Sequence, residues 1–427
     1  MHAAMRPGVI PERNGPGIPL SNLRAATWAP FSAAVGALSA FLWLVGRWAP
    51  GRLEGGEGQA DVPPWLQPRA AAAAAVLILG GIVVLLNAPR PHPEGARRRW
   101  RWFLGLATAW FVWMLASALW APEPDLARQK ALEVVILAAG GAGLAGGIWR
   151  GEARACRSGF LAAATVGLTV LAAVGVMTEQ TGRAAALGGG PNVFGRNMGV
   201  LGLLALGAWQ AGLGRAWLAL AGLAGVHVLL SGSRGALGAT LAGLATFSLL
   251  SGRGLSRRAA IPIGVALAAG AVFVIEPRLW EAARDLFAQR FLDRTLAQGH
   301  MGYRDLFFDL ALELTWTAPI RGVGLAGYPA LTGIIYPHNL PLEVACEAGL
   351  VGLALLLAVA GRWAALVAHL RPLDPVAIAV WVVLLGSAQL SGDLYDSRGL
   401  LTWGLIAVAA GLAHRAEERP ADEAAAT

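Results

Sequence analysis

Residues 198–251 read MGVLGLLALGAWQAGLGRAWLALAGLAGVHVLLSGSRGALGATLAGLATFSLLS, with Arg215 and Arg234 as the only formal charges. Three apolar runs lie here, 198–213, 216–232 and 235–251, parted by two-residue turns. Each is near the shortest length, about 17 residues, that carries a helix across a bilayer. Similar runs occupy 27–49, 70–88, 102–121, 131–149, 159–178, 259–276, 346–369, 375–392 and 399–414. The pattern predicts an all-α, polytopic integral membrane protein of about twelve transmembrane helices. Composition agrees, since only 14% of the 427 residues are charged, against roughly a quarter in a soluble domain. A soluble enzyme, a disordered chain and a secreted disulfide scaffold are thereby excluded.

The net charge of +8 does not point to nucleic acid, because the arginines fall mostly between apolar runs. Their distribution sets topology instead. With both termini in the cytoplasm, 19 basic residues lie inside and 15 outside, six of the latter in one long loop. Residues 1–26 form a cytoplasmic segment with no cleavable leader expected, and 415–427 a frayed cytoplasmic tail. Spans one to nine fill 27–276, and spans ten to twelve fill 346–414. The glycine and alanine content fits close helix packing. Cys156 and Cys346 fall on opposite sides, so neither a disulfide nor a metal cluster is expected.

Residues 277–345 form an external loop too long for a plain connection. It carries two amphipathic patterns. Leu279, Trp280, Ala283, Leu286, Phe287, Phe291 and Leu292 share a face of the first, and Leu306, Phe307, Leu310 and Leu314 a face of the second, at about 302–316. Helices of this kind lie on membrane surfaces, and a structured lid is expected between the ninth and tenth spans.

Polar residues kept at span mouths are the candidates for chemistry. One group is Asn192, Arg196 and Asn197, and a second is Ser231, Ser233 and Arg234. Tyr303, Arg304 and Asp305 form a third, and Tyr336, His338, Asn339, Glu343 and Glu347 a fourth. Asp393, Tyr395, Asp396 and Arg398 form a weaker fifth. Each arginine alone reads equally as a headgroup-solvated turn residue or as an anion ligand; guanidinium suits phosphate through paired hydrogen bonds. Three arginines on one side favour a polyanionic ligand such as a lipid-linked pyrophosphate. His338 follows Pro337, which suits the first turn of a helix leading into the tenth span. An imidazole there can serve as a general base or merely as a capping residue. His227, inside an apolar run, reads as a hydrogen-bonded core residue. The sequence contains no Asp-x-Asp pair, no metal-ligand spacing and no phosphate loop, so no cofactor or metal is expected.

The runs Gly322-Val-Gly324-Leu-Ala-Gly327-Tyr328, Pro337-His338-Asn339-Leu-Pro-Leu-Glu343 and Glu347-Ala-Gly349-Leu-Val-Gly352 resemble the signature of the O-antigen ligase and polymerase superfamily. Ser231-Gly-Ser233-Arg234-Gly235 and Arg304 fit the same pattern. The ligase branch is similar in length. The resemblance implies a bacterial inner-membrane enzyme with a periplasm-facing site. It would move O-antigen from undecaprenyl pyrophosphate to a sugar of lipid A–core without added metal. Carried over residue by residue, His338 matches the catalytic histidine, and Arg234 and Arg304 the essential arginines; Arg196 aligns less firmly. On this reading His338 takes the acceptor proton in a single inverting displacement while the arginines hold the pyrophosphate. Asn339, Glu343, Tyr303 and Ser233 support them, with Asn339 or Glu343 orienting the imidazole. A polysaccharide polymerase with the same donor, a protein O-oligosaccharyltransferase and a lipid-linked saccharide transporter are the rival readings.

Overall fold

The computed structural model describes residues 20–45, 67–87, 92–178, 182–187, 190–251, 277–288 and 304–425. Its first five helices are α1 (Leu20–Val45), α2 (Pro68–Leu86), α3 (Glu94–Ala116, extended by a 3-10 turn at Ser117–Trp120), α4 (Pro124–Trp149) and α5 (Ala153–Ala173). A short antiparallel hairpin, β1 (Val176–Thr178) with β2 (Arg183–Ala185), precedes α6 (Pro191–Gln210). Next come α7 (Ala216–Leu230), α8 (Arg234–Leu250), α9 (Pro277–Phe287), α10 (Arg304–Thr317) and α11 (Gly327–Thr332). The chain continues in α12 (Leu340–His369), α13 (Pro375–Ala388) and α14 (Arg398–Ala425).

Six of these helices are long and apolar enough to cross a membrane: α2, α3 with its extension, α4, α5, α12 and α14 up to Ala416. The chain is a multi-pass membrane protein. Of the about twelve spans expected, six are of full length among the described residues, and shorter apolar helices accompany them. Ala29–Val45 of α1, α7, α8 and α13 are apolar but only 10–17 residues long. Local chemistry explains the shortness. Gly212 and Gly214, both with positive φ, end α6 and hold α7 back to Ala216, while α6 spends its first two turns on Asn192, Arg196 and Asn197. The expected ninth span, 259–276, lies outside the described residues, as do the segment 1–19 and most of the loop 54–69. The tail expected to fray is helical through Ala425.

Small residues bring helices together. A Cβ on Gly36 or Gly159 would meet the facing backbone of α5 or α1, and Gly80 and Gly143 do the same between α2 and α4. Trp43, Phe160 and Trp403 then lock α1, α5 and α14, with ring centroids 5.0–6.3 Å apart. The starts of α6 and α8 (Gly195 against Ser231 and Ala236) lie side by side, as do those of α4 and α12 (Lys130 against Glu343 and Glu347), and the end of α3 meets α12 at Ala348.

Helix α12 begins six residues before the expected tenth span, so the expected boundary at 345/346 falls inside it. Asn339, not Pro337, sets its start: the Asn339 Oδ1 accepts from the Leu342 N–H at 3.0 Å, and Pro341 occupies the first turn. The helix is interrupted at Gly349, whose φ of 70° and ψ of −175° only glycine adopts readily. The segment after α10 clasps this break. The Val323 and Gly324 N–H groups donate to the Cys346 and Glu347 carbonyls at 2.9 and 3.0 Å. The Leu350 and Val351 N–H groups donate to Pro319 and Ile320 at 2.8 and 3.3 Å, and the Trp113 indole to the Ala348 carbonyl at 2.8 Å. Backbone groups freed by the break are thus bonded within protein, which is what tolerates irregular backbone at membrane depth.

Candidate functional site

His338 sits immediately before the α12 cap rather than in a helical turn, with φ at 61°. A non-glycine residue in this left-handed region carries local strain, and such strain concentrates at functional sites. Its ring lies between Phe307 of α10, stacked at 5.7 Å, and the edge of Tyr336 at 4.6 Å. Phe307 is itself fixed from behind, since the Tyr328 hydroxyl donates to its carbonyl at 3.2 Å. The His338 Nδ1 is buried and has no hydrogen-bond partner among the described residues. Burial, and then the nearby Arg304 charge, push the imidazole down to about 4. It is therefore neutral at physiological pH and able to accept a proton.

Asn339 does two things at once. Besides capping α12, its Nδ2 donates to the Gln389 carbonyl at 3.2 Å, fixing the loop after α13. Leu390 in that loop packs on Gly235, next to Arg234. Ser233 caps α8 by accepting from the Ala236 N–H at 3.3 Å, which leaves Arg234 as the first helical residue. Gly195 of α6 packs against Ser231 and Ala236. The turn bearing Arg234 and the start of α6 bearing Arg196 are consequently neighbours.

Arg196 is buried at the same end. Its Nη1 donates to the Asp396 carbonyl at 3.2 Å, its Nε has no partner among the described residues, and Tyr336 lies within its electrostatic reach. The fifth polar group of the sequence therefore adjoins the others. Arg398 donates to the Trp43 carbonyl at 2.8 Å and lies 3.7 Å from Asp396, while Arg69 and Arg398 both face the Tyr395 ring, at 4.8 and 5.0 Å.

Two cations went unnoticed as site residues in the sequence. Lys130 of α4, the only lysine, donates to Glu343 at 2.5 Å and Glu347 at 2.6 Å, both fully buried. The Glu343 carboxylate, expected as a partner for the imidazole, is instead turned to Lys130. Arg183 on β2 donates to the Ser231 carbonyl at 2.7 Å and the Asn192 Oδ1 at 3.0 Å, joining the hairpin to two of the polar clusters. Being the only lysine was the one signal for Lys130; nothing local marked Arg183. Tyr303 lies outside the described residues.

The candidate residues Arg196 and Arg234 lie at the adjoining N-termini of α6 and α8, whose peptide dipoles favour anions, and Arg304 lies within electrostatic reach of His338. Beside them stands a neutral, strained histidine. No group of three His, Cys, Asp or Glu residues is disposed to hold a metal ion among the described residues.

Residues 219–357 match the family model described as O-antigen ligase. They form an O-antigen ligase family domain. That family covers both ligases and polymerases, and its members transfer lipid-linked glycans. No curated protein matches the chain. The O-antigen ligase domain runs from α7 to the middle of α12 and so contains Ser233, Arg234, Arg304, His338, Asn339, Glu343 and Glu347. Lys130, Arg196 and Asp396, which complete the arrangement, lie outside the matched stretch.

Proposed function

We propose that this protein is an inner-membrane O-antigen ligase whose periplasm-facing site transfers a glycan from undecaprenyl pyrophosphate to a sugar of lipid A–core. The observation that carries the reading is the neutral His338 imidazole, held in a left-handed backbone conformation beside Arg304.

In the proposed step the acceptor hydroxyl oxygen attacks the anomeric carbon of the donor glycan. As the new C–O bond forms, the hydroxyl proton passes to His338. Nε2 is the ring nitrogen for this, because Nδ1 is the buried one. The anomeric C–O bond to phosphate breaks, and its electron pair leaves with undecaprenyl pyrophosphate. Attack opposite the leaving group inverts the anomeric configuration. Arg234, Arg304 and Arg196 hold the pyrophosphate and stabilise the charge that develops on it, so that no metal is required. Bound pyrophosphate also offsets the Arg304 charge felt by His338, which makes the imidazole a stronger base once the donor is in place.

Asn339 has a positioning role through the α12 cap and Gln389, Ser233 through the α8 cap, and Glu343 through Lys130. Tyr303, which precedes Arg304 in the chain, is proposed as a further supporting residue. The proposed organisation keeps 1–26 and 415–427 in the cytoplasm, transmembrane bundles over 27–276 and 346–414, and the loop 277–345 as a periplasmic cover.

The family covers polymerases as well, so the acceptor is the feature to test. Purified protein is given undecaprenyl-pyrophosphate-linked glycan with EDTA, and with or without lipid A–core. A ligase extends lipid A–core and leaves the carrier-linked glycan length unchanged. Longer glycan on the carrier, with lipid A–core unmodified, identifies a polymerase and overturns the ligase assignment.

A further inference from the structure

At the end of the bundle away from His338, three helix ends meet: the start of α3, the end of α12 and the α14 segment around Arg415. His369 closes the helix that Leu340 opens, at the far end from His338, so this end is distinct from the candidate site. Here Arg99 donates to the Gly95 carbonyl at 3.2 Å, and Arg415 donates to the His369 carbonyl. Both guanidiniums lie within electrostatic reach of the His369 ring. A Cβ placed on Gly95 would lie 3.1 Å from the His369 Nε2 and 3.2 Å from an Arg99 Nη1, so the glycine keeps a gap between them.

Like charges brought together this way oppose one another unless an anion joins them. No carboxylate pairs with Arg99 or Arg415 among the described residues, and the His369 Nε2 and Arg415 Nε are buried without a hydrogen-bond partner there. Arg157, at the same end, shows the contrast: it is bridged directly to Asp374. The level of the cluster in the membrane is marked by aromatic residues. Trp100 stacks on Trp149 at 4.8 Å, His92 lies 4.0 Å from Trp149, and Arg362 faces Trp102. Tryptophan belts of this kind lie at the headgroup layer. Arg97, Arg98 and Arg101 extend the positive surface outward from it.

We propose that Arg99, His369 and Arg415 form a binding site for the phosphate of an anionic phospholipid headgroup, on the face of the bundle opposite the glycan site. The two guanidiniums and the imidazole supply the donors, Gly95 leaves the space, and the basic start of α3 draws anionic lipid from the leaflet.

The test uses the full-length protein in detergent, stripped of lipid and then given phosphatidylglycerol, phosphatidylcholine or inorganic phosphate, with bound adducts counted by native mass spectrometry. Phosphatidylglycerol should be retained in preference to phosphatidylcholine. R99Q/R415Q should reduce that retention by roughly tenfold or more, a clearly larger loss than R97Q/R98Q, which removes only the surrounding attraction. If R99Q/R415Q does not fold, G95V gives the same reading, since it fills the gap and keeps every charge. Equal retention of the two lipids, or undiminished phosphatidylglycerol in the folded variants, overturns the site. Binding of inorganic phosphate that excludes the lipid overturns the assignment to a headgroup.

Discussion

Lys130 donates to Glu343 at 2.5 Å and ties α4 to the first turn of α12, directly after the His338–Asn339 pair. The same ammonium reaches Glu347 one turn on, so a single cation holds two buried carboxylates. These contacts anchor the segment of α12 before the Gly349 break to α4.

Removing that cation leaves both carboxylates buried without compensation. K130M is therefore expected to destabilise the protein by about 3–5 kcal/mol, read as a lowered unfolding temperature in detergent. K130M/E343Q/E347Q should recover most of the loss, because no uncompensated charge is then left. A K130M variant as stable as the parent would mean that the triad contributes nothing to the fold.

The pH dependence follows from the depressed His338 pKa. The base works only when deprotonated, and in the free protein it loses a proton above about 4. kcat/KM should then be flat across the neutral range and fall only as pH drops toward about 4. R304Q removes the smaller of the two causes of the depression. Its acidic limb should move upward but stop short of the ordinary 6.5, because burial remains. An acidic limb already near 6.5 in the parent protein would contradict this account of the site.

Gly349 is the position where the α12 break depends on glycine. A Cβ there would strike the Ile320 carbonyl and the Arg321 amide in a backbone conformation that side chains rarely adopt. G349A should markedly reduce folded yield, whereas G361A, in the same helix with open space around it, should be neutral or stabilise by up to about 1 kcal/mol. Folded yields after detergent extraction compare the two directly.

How far the sequence discloses this arrangement depends on the range of each interaction. Apolar runs report local burial, so α2, α7 and α8 are visible in the sequence to within two residues of their ends, whereas α4 and α5 start several residues before their apolar runs and α14 continues well past its own. The break in α12 is not, because what stabilises it is the 319–324 segment. The glycines that make it possible stand in the sequence as a motif without a visible purpose. His338, Arg196, Arg234 and Arg304 each stand out as polar residues beside apolar runs. Their adjacency depends on helix order and direction, which local patterns do not encode. The partners of Lys130 are 213 and 217 residues away, beyond any local reading, and Arg183 acts from a hairpin whose strands are three residues each.

The most direct test of the central claim compares parent and H338A protein in one transfer assay with undecaprenyl-pyrophosphate-linked glycan, lipid A–core and EDTA. The parent should shift lipid A–core to the glycan-bearing form. H338A should fold with an unchanged unfolding profile and lose at least about a hundredfold in rate, the scale of a missing general base. Transfer by H338A at the parental rate would contradict the assignment of His338 as the base.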